Sequence, residues 1–98
     1  MIARTITVDV GSDRLDDVLD AYRQHVRPIH ERADGLRLHL VLADRAAGRV
    51  GIIGVWDSEA SLAAVADELE PARERLWASF ERSPTLEVYE VADTLGPI

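Results

Sequence analysis

Residues 48–60, Gly-Arg-Val-Gly-Ile-Ile-Gly-Val-Trp-Asp-Ser-Glu-Ala, run an apolar strand straight into the start of a helix. Val50, Ile52, Ile53 and Val55 are β-branched residues that suit a pleat, and apolar residues at both parities demand burial on both faces. Asp57 and Ser58 follow as caps, with Glu59 in the first helical turn, where the helix dipole favours a negative charge. Trp56 is thereby held at a corner between sheet and helix. A chain with such a segment needs a sheet covered by helices on one side and by something else on the other.

The remaining segments supply that sheet and those helices. Ile2 to Val10 alternates Ile2, Ile6, Val8 and Val10 with polar or small residues and reads as strand one, with Arg4 the exception on its apolar parity. Gly11 and Ser12 form a turn and cap. Leu15, Val18, Leu19, Tyr22, Val26, Ile29 and Ala33 then recur on one helical face, giving helix one. Pro28 removes a hydrogen bond and clashes with the Gln24 carbonyl, so a kink is expected between Gln24 and Pro28. Gly35 is expected to end the helix as a left-handed cap.

Leu36, Leu38, Leu40 and Leu42 fall on one parity of strand two, with Arg37, His39, Val41 and Ala43 on the other. The leucine parity is expected to face the helices. The loop 44–48 predicts a hairpin into strand three. Helix two carries Leu62, Val65, Ala66 and Leu69 inward. A break is expected at Glu70, before Pro71, with a second segment bearing Leu76, Trp77 and Phe80 and ending at Ser83-Pro84. Thr85 to Ala92 is strand four.

The order β-α-β-β-α-β is the α+β, ferredoxin-like arrangement: one antiparallel sheet with two helices on one face. The other face mixes Thr5, Thr7, His39 and Tyr89 with Ile53 and Val55, too apolar to stay wet and too polar for a monomer core. A homodimer built face to face on that surface is the expectation. The 98 residues suit a single domain, residues 1–98, and 47% hydrophobic with 30% charged residues is a globular composition. No stretch approaches the ~18 apolar residues of a membrane span, and Arg4 interrupts any signal-like start, so a cytoplasmic location is expected.

Residue types that are missing exclude several chemistries. The net charge is −7 and every basic residue is an Arg, scattered along the chain, which argues against nucleic acid or membrane as a partner. With no Cys there is no thiolate nucleophile or sulfur-held metal, and with no Lys there is no Schiff base. No elbow motif surrounds Ser12, Ser58 or Ser61, and no glycine-rich phosphate loop precedes a helix.

The element order, together with Gly35-Leu36-Arg37-Leu38, Val55-Trp56-Asp57-Ser58-Glu59-Ala60 and Val88-Tyr89-Glu90-Val91, resembles the antibiotic biosynthesis monooxygenase family of dimeric α+β barrels. The resemblance spans Ile2 to about Ala92 and implies a pocket between helices and sheet. It implies cofactor-free oxygenation of polyketide quinones or quinols, haem degradation, or neither, since the family includes both activities and many proteins with none assigned. Pocket residues of such proteins are a strand-one Asn, a Trp ending strand three and a His or Arg on helix two. Trp56 matches the Trp, and Arg73 or Arg75 supplies the cation. Arg4 stands where the Asn is expected, and no His lies between Ser58 and Phe80, which argues against haem degradation.

The candidate substrate-binding residues are therefore Arg4, Trp56, Tyr22 and Arg73, with Arg4 and Trp56 expected to converge under helix one near Tyr22 and His25. An inward Arg needs an anion, so an acidic or phenolate aromatic over the indole is the expected ligand. His25 and His30 are the candidate general bases. Their separation of five residues does not make a joint metal site, and no haem, flavin or metal cofactor is expected. The leading reading is a cofactor-free oxygenase of a small planar aromatic. The alternatives are a non-catalytic dimeric binding or accessory module, and an isomerase or cyclase on the same fold.

Overall fold

Strand-forming and helix-forming stretches alternate as their hydrophobic periods dictate. In the computed structural model, which describes residues 1–78 and 84–98, they fold into an α+β ferredoxin-like domain architecture. Strand β1 (Ile2–Asp9) lies between β3 (Arg49–Trp56) and β4 (Thr85–Glu90), and β2 (Leu36–Asp44) pairs with the far side of β3. The order is β2-β3-β1-β4, with each neighbouring pair antiparallel. Helices α1 (Leu15–His25), α2 (Arg27–Glu31) and α3 (Glu59–Trp77) complete the described elements.

The core lies between the helices and one face of the sheet. Ile6 and Val8 of β1 and Val50, Ile52 and Trp56 of β3 meet Leu15, Val18 and Tyr22 of α1, Val26 and Ile29 around α2, and Leu69 and Leu76 of α3. Leu15 and Leu69 are wholly inaccessible and Trp56 is 1% exposed, so the tryptophan that ends β3 belongs to the core. Ser58 caps α3 by accepting the Ser61 N–H at 3.2 Å. Asp57 does not cap; its carboxylate accepts from the Arg37 side chain instead.

The expected kink in helix one is a complete break. Val26 separates α1 from α2, and Pro28 sits in the first turn of α2, where its missing N–H costs nothing. The helix then ends at Glu31, ahead of Gly35. Gly35 still takes the left-handed conformation, φ +83°, in the turn into β2, and a Cβ there would fall 2.4 Å from Ser61 Oγ. Likewise α1 is preceded by Arg14 without a side-chain cap, so Ser12 does not play that part.

Helix α3 contradicts the expected break at Glu70, because it runs unbroken through Pro71. Pro71 and Asp67, whose carbonyl loses its intrahelical donor, are both exposed, while Leu69, Ala72, Arg73 and Leu76 are buried. Packing on both sides of the proline holds the two halves in line, and the orphaned carbonyl lies on the solvent side. Phe80 and Ser83, expected in and after this helix, lie outside the described residues.

The largest correction concerns β2. Leu36 pairs with Trp56, but the next paired residue is Leu38, opposite Val55, so Arg37 is an extra residue in the ladder. His39 then faces Gly54, Val41 faces Ile52, and Leu40 faces Ile53. Because cross-strand partners share a face, His39 and Val41 point to the helices, and Leu38, Leu40 and Leu42 point away. The leucine row is thus on the outer face with Thr5, Thr7, Ile53 and Tyr89, and His39 is not. Leu40, Leu42 and Tyr89 are 41%, 48% and 50% exposed there.

Candidate functional site

Three elements deliver three rings to one place. His39 projects inward from β2 because of the extra residue at Arg37. Tyr22, on the buried stripe of α1, brings its hydroxyl within 2.8 Å of His39 Nδ1, and the two rings lie parallel with centroids 5.6 Å apart. The break at Val26 turns α2 so that Ile29 and His30 both face the sheet. His30 Nδ1–H donates to the Val26 carbonyl at 3.2 Å, and its ring centroid is 4.0 Å from that of His39 and 6.1 Å from Trp56.

These contacts set the protons. A carbonyl only accepts, so neutral His30 carries its proton on Nδ1 and keeps a lone pair on Nε2. In the tautomer with its proton on Nε2, His39 accepts the Tyr22 hydroxyl hydrogen bond at Nδ1. Burial lowers the His39 pKa to about 4, with the proximity of His30 and then Arg4 adding to the fall. His30 is lowered too, by burial first; its bond to Val26 opposes the shift, and Arg4 and Arg73 add to it. Burial raises the Tyr22 phenol. At neutral pH the cluster is two neutral imidazoles and a protonated phenol.

Two guanidiniums stand behind it. Arg4, beneath the helices, is lowered to about 10 by burial and by Arg73, with Glu70 opposing. Among the described residues Arg4 has no hydrogen-bond or ion-pair partner. Arg73 is 7% exposed; its Nη2–H donates to Glu70 at 2.6 Å, and burial lowers its pKa while Glu70 opposes the shift. Both groups remain cationic at neutral pH.

The open space includes a cleft and a small chamber, and a third groove of about 340 Å³ shares Ile6 and Arg73 with the chamber. A cleft of about 410 Å³ lies between α1–α2 and β2, walled by Leu19, Tyr22, His30, Leu36, His39 and Val41, with Arg23, Arg27 and Glu31 also lining it. Behind it is a chamber of about 20 Å³ lined by Arg4, Arg73, Trp56 and neighbouring core residues. His30 and His39 line both.

The sequence-predicted residues are sorted accordingly. Tyr22 and His30 line the cleft, whereas Arg4, Trp56 and Arg73 line the inner chamber. Arg4 and Trp56 do lie on the helix-covered face, but neither lines the cleft, and Trp56 is 1% exposed beside the chamber. His25 shares the face of α1 that carries Val18 and Tyr22, but as the last residue of that helix it is exposed and lines neither space. His39, read as an outer-face residue, is the member that parity reasoning missed. The available signal is that Val41 and Ala43 make its row of β2 apolar as well. Among the described residues no group of three or more His, Asp or Glu has the geometry to hold a metal ion, and no helix is long and apolar enough to cross a membrane.

A ferredoxin-like sheet with a helix-covered cleft of this kind defines a class of small α+β proteins, and within it the family follows. The antibiotic biosynthesis monooxygenase family model matches residues 1–68, and the chain belongs to that family. The uncharacterized protein Rv2557 of Mycobacterium tuberculosis, strain H37Rv, is 28% identical over 90 residues, covering 92% of this chain. The chain spans 40% of that relative's length. Among solved structures, Rv0793 of Mycobacterium tuberculosis superposes with a TM-score of 0.79 at 13% identity, over 97% of this chain and 98% of its own. SnoaB, a cofactor-independent oxygenase from Streptomyces nogalater, superposes with a TM-score of 0.72 at 16% identity, over 96% and 95%.

Proposed function

We propose that the chain is a cofactor-independent oxygenase of a small planar aromatic, a phenol or quinol, bound in the cleft against Tyr22, His30 and His39. The observation that carries this reading is the pair of neutral imidazoles at 4.0 Å, one of which, His30, has its Nδ1–H committed to the Val26 carbonyl and its Nε2 lone pair free. Such a nitrogen accepts a proton from an acidic hydroxyl. The resulting aromatic anion is electron-rich enough to react with dioxygen, so the protein's task is to favour the anion. Arg4 and Arg73 supply positive charge on one side of the imidazole pair, and Arg27 supplies it at the cleft. His39, held by Tyr22, is the positioning partner of His30.

Oxygen uptake with a panel of quinols and anthrones, followed in parent and His30→Ala protein, tests the reading. Uptake that requires protein and falls at least tenfold in the variant, about 1.4 kcal/mol of barrier, is expected. Uptake at the uncatalysed rate across the panel would leave a non-catalytic binding module in its place.

The outer face belongs to the same proposal. Leu40, Leu42 and Tyr89, exposed on one surface with Leu38 and Ile53, form an apolar patch that a second copy of the chain is suited to cover. The pairing proposed is therefore a homodimer through Leu38, Leu40, Leu42, Ile53 and Tyr89, with the cleft on the far side of the sheet.

A further inference from the structure

Gly54 leaves a gap in the helix-covered face of the sheet. It pairs with Arg4 of β1 on one side and with His39 of β2 on the other, so the three stand in one row across the strands. Adjacent strands lie about 4.8 Å apart, which leaves Arg4 and His39 roughly 10 Å apart at their Cα atoms with bare backbone between them. The chamber of about 20 Å³ is lined by all three, with Trp56 further along β3 and His30 and Arg73 on the helix side. It shares Ile6 and Arg73 with the groove between α3 and β4, which gives a small solute a way in.

Hydrogen-bond donors collect over that gap. A Cβ on Gly54 would fall 3.0 Å from Trp56 Nε1 and 3.6 Å from His39 Cδ2, so the indole N–H and the edge of His39 turned away from Tyr22 both border it. Among the described residues neither the Trp56 N–H nor the Arg4 guanidinium has a hydrogen-bond partner, and no fully enclosed side-chain nitrogen or oxygen lacks one. Both groups therefore border open space, although Trp56 is only 1% exposed. In the tautomer that accepts from Tyr22, His39 adds an Nε2–H donor. The charge is one-sided as well: Arg4 and Arg73 bring two positive charges, and Glu70, bonded to Arg73, brings one negative. A guanidinium drawn beneath the helices without a carboxylate calls for an anion.

We propose that this chamber binds a small monovalent anion of halide size, held by the Trp56 indole N–H and the Arg4 guanidinium over Gly54. A water molecule answers the donors but not the charge, whereas one halide ion answers both. The volume suits a single guest of that size, and bonds from a guanidinium to an anion are the stronger kind. The site does not rest on the oxygenase reading, since its ligand is detected with no substrate present.

Nitrogen–proton NMR of the two tryptophan indoles tests it, with the Trp56 signal assigned from Trp77→Phe protein. At neutral pH and constant ionic strength, replacing sodium sulfate by sodium chloride is expected to move the Trp56 signal along a saturating curve, and sodium bromide to do the same. Sulfate, too large for the chamber, is the non-binding counter-ion. Arg4→Gln is expected to weaken chloride binding at least tenfold. Gly54→Ala, whose methyl takes the place of the anion beside Trp56 Nε1, is expected to abolish it. The dispersion of each spectrum shows whether the variant is folded, and if Gly54→Ala is not, Arg4→Gln decides the matter alone. A Trp56 signal indifferent to chloride means that the chamber holds water only, and overturns the proposal. A chloride response undiminished in Arg4→Gln overturns it equally.

Discussion

Acid is the perturbation to which this cluster should be most sensitive, and His39 is the reason. In the unfolded chain its imidazole titrates near the ordinary 6.5, whereas in the folded protein burial, His30 and Arg4 lower that value to about 4. A group whose folded pKa is depressed binds its proton first in the unfolded state. Its contribution to stability is therefore complete above pH 6.5 and is lost as the pH falls from 6.5 through 4. A shift of this size is worth about 3 kcal/mol at most. His39 is only partly buried and its ring borders an open cleft, so with solvent screening about 2 kcal/mol is the expected loss. Urea denaturation at pH 7.5 and pH 4.0, at one protein concentration, would measure it against His39→Gln. That variant keeps an acceptor for Tyr22 but does not titrate. Carboxylate protonation is common to both proteins and cancels in the difference. Parallel pH dependences in parent and variant, or a His39 ring titrating near 6.5 by NMR, would refute the reasoning.

Tyr22→Phe removes the 2.8 Å hydrogen bond and leaves His39 Nδ1 without a protein partner; a loss of about 1 kcal/mol in urea is expected, and undiminished stability would mean the bond contributes nothing. Leu42→Asp places a carboxylate on the proposed dimer face at a position 48% exposed in the single chain, so it should yield a folded monomer by sedimentation. A parent already monomeric at micromolar concentration would dispose of the dimer. Val55→Asp is a poor substitute, since Val55 is only 6% exposed without any partner and the change would strain the fold itself.

Much of the fold is legible because its signals are local. The Ser58 cap, the positive-φ turn at Gly35 and the Pro28 break each follow from what one residue type permits at one place. Pro71 shows where such signals yield: a local penalty of about 3 kcal/mol is outweighed when apolar residues before and after the proline pack on the same core. The site is less legible because it depends on which face each strand residue takes. For β1 the alternation marks the buried parity, and Arg4 and Trp56 are assigned to the correct side. For β2 both rows are apolar, so periodicity alone cannot choose between them. One unpaired residue decides the matter, and no composition rule marks it in advance.

That residue makes a sharp test, because deletions inside strands ordinarily exchange the two faces of everything that follows. Arg37 is the exception here. Leu36 already pairs with Trp56 and Leu38 with Val55, so removing Arg37 turns an interrupted ladder into a regular one and leaves Leu38 to Asp44 in register. The side chain lost contributes only a half-exposed ion pair to Asp57, worth about 0–1 kcal/mol. Deleting Arg37 should therefore give a folded protein in which His39 still meets Tyr22 and still titrates far below 6.5. Deleting Leu40 instead should drive Leu42 inward and Val41 outward, and fail to fold. If the Arg37 deletion unfolds the chain, or releases His39 to an ordinary titration, then the bulge does more than insert a residue. In that case the same strand geometry that faces His39 to the cleft and the leucines to the outer surface would depend on the Arg37–Asp57 pair as well.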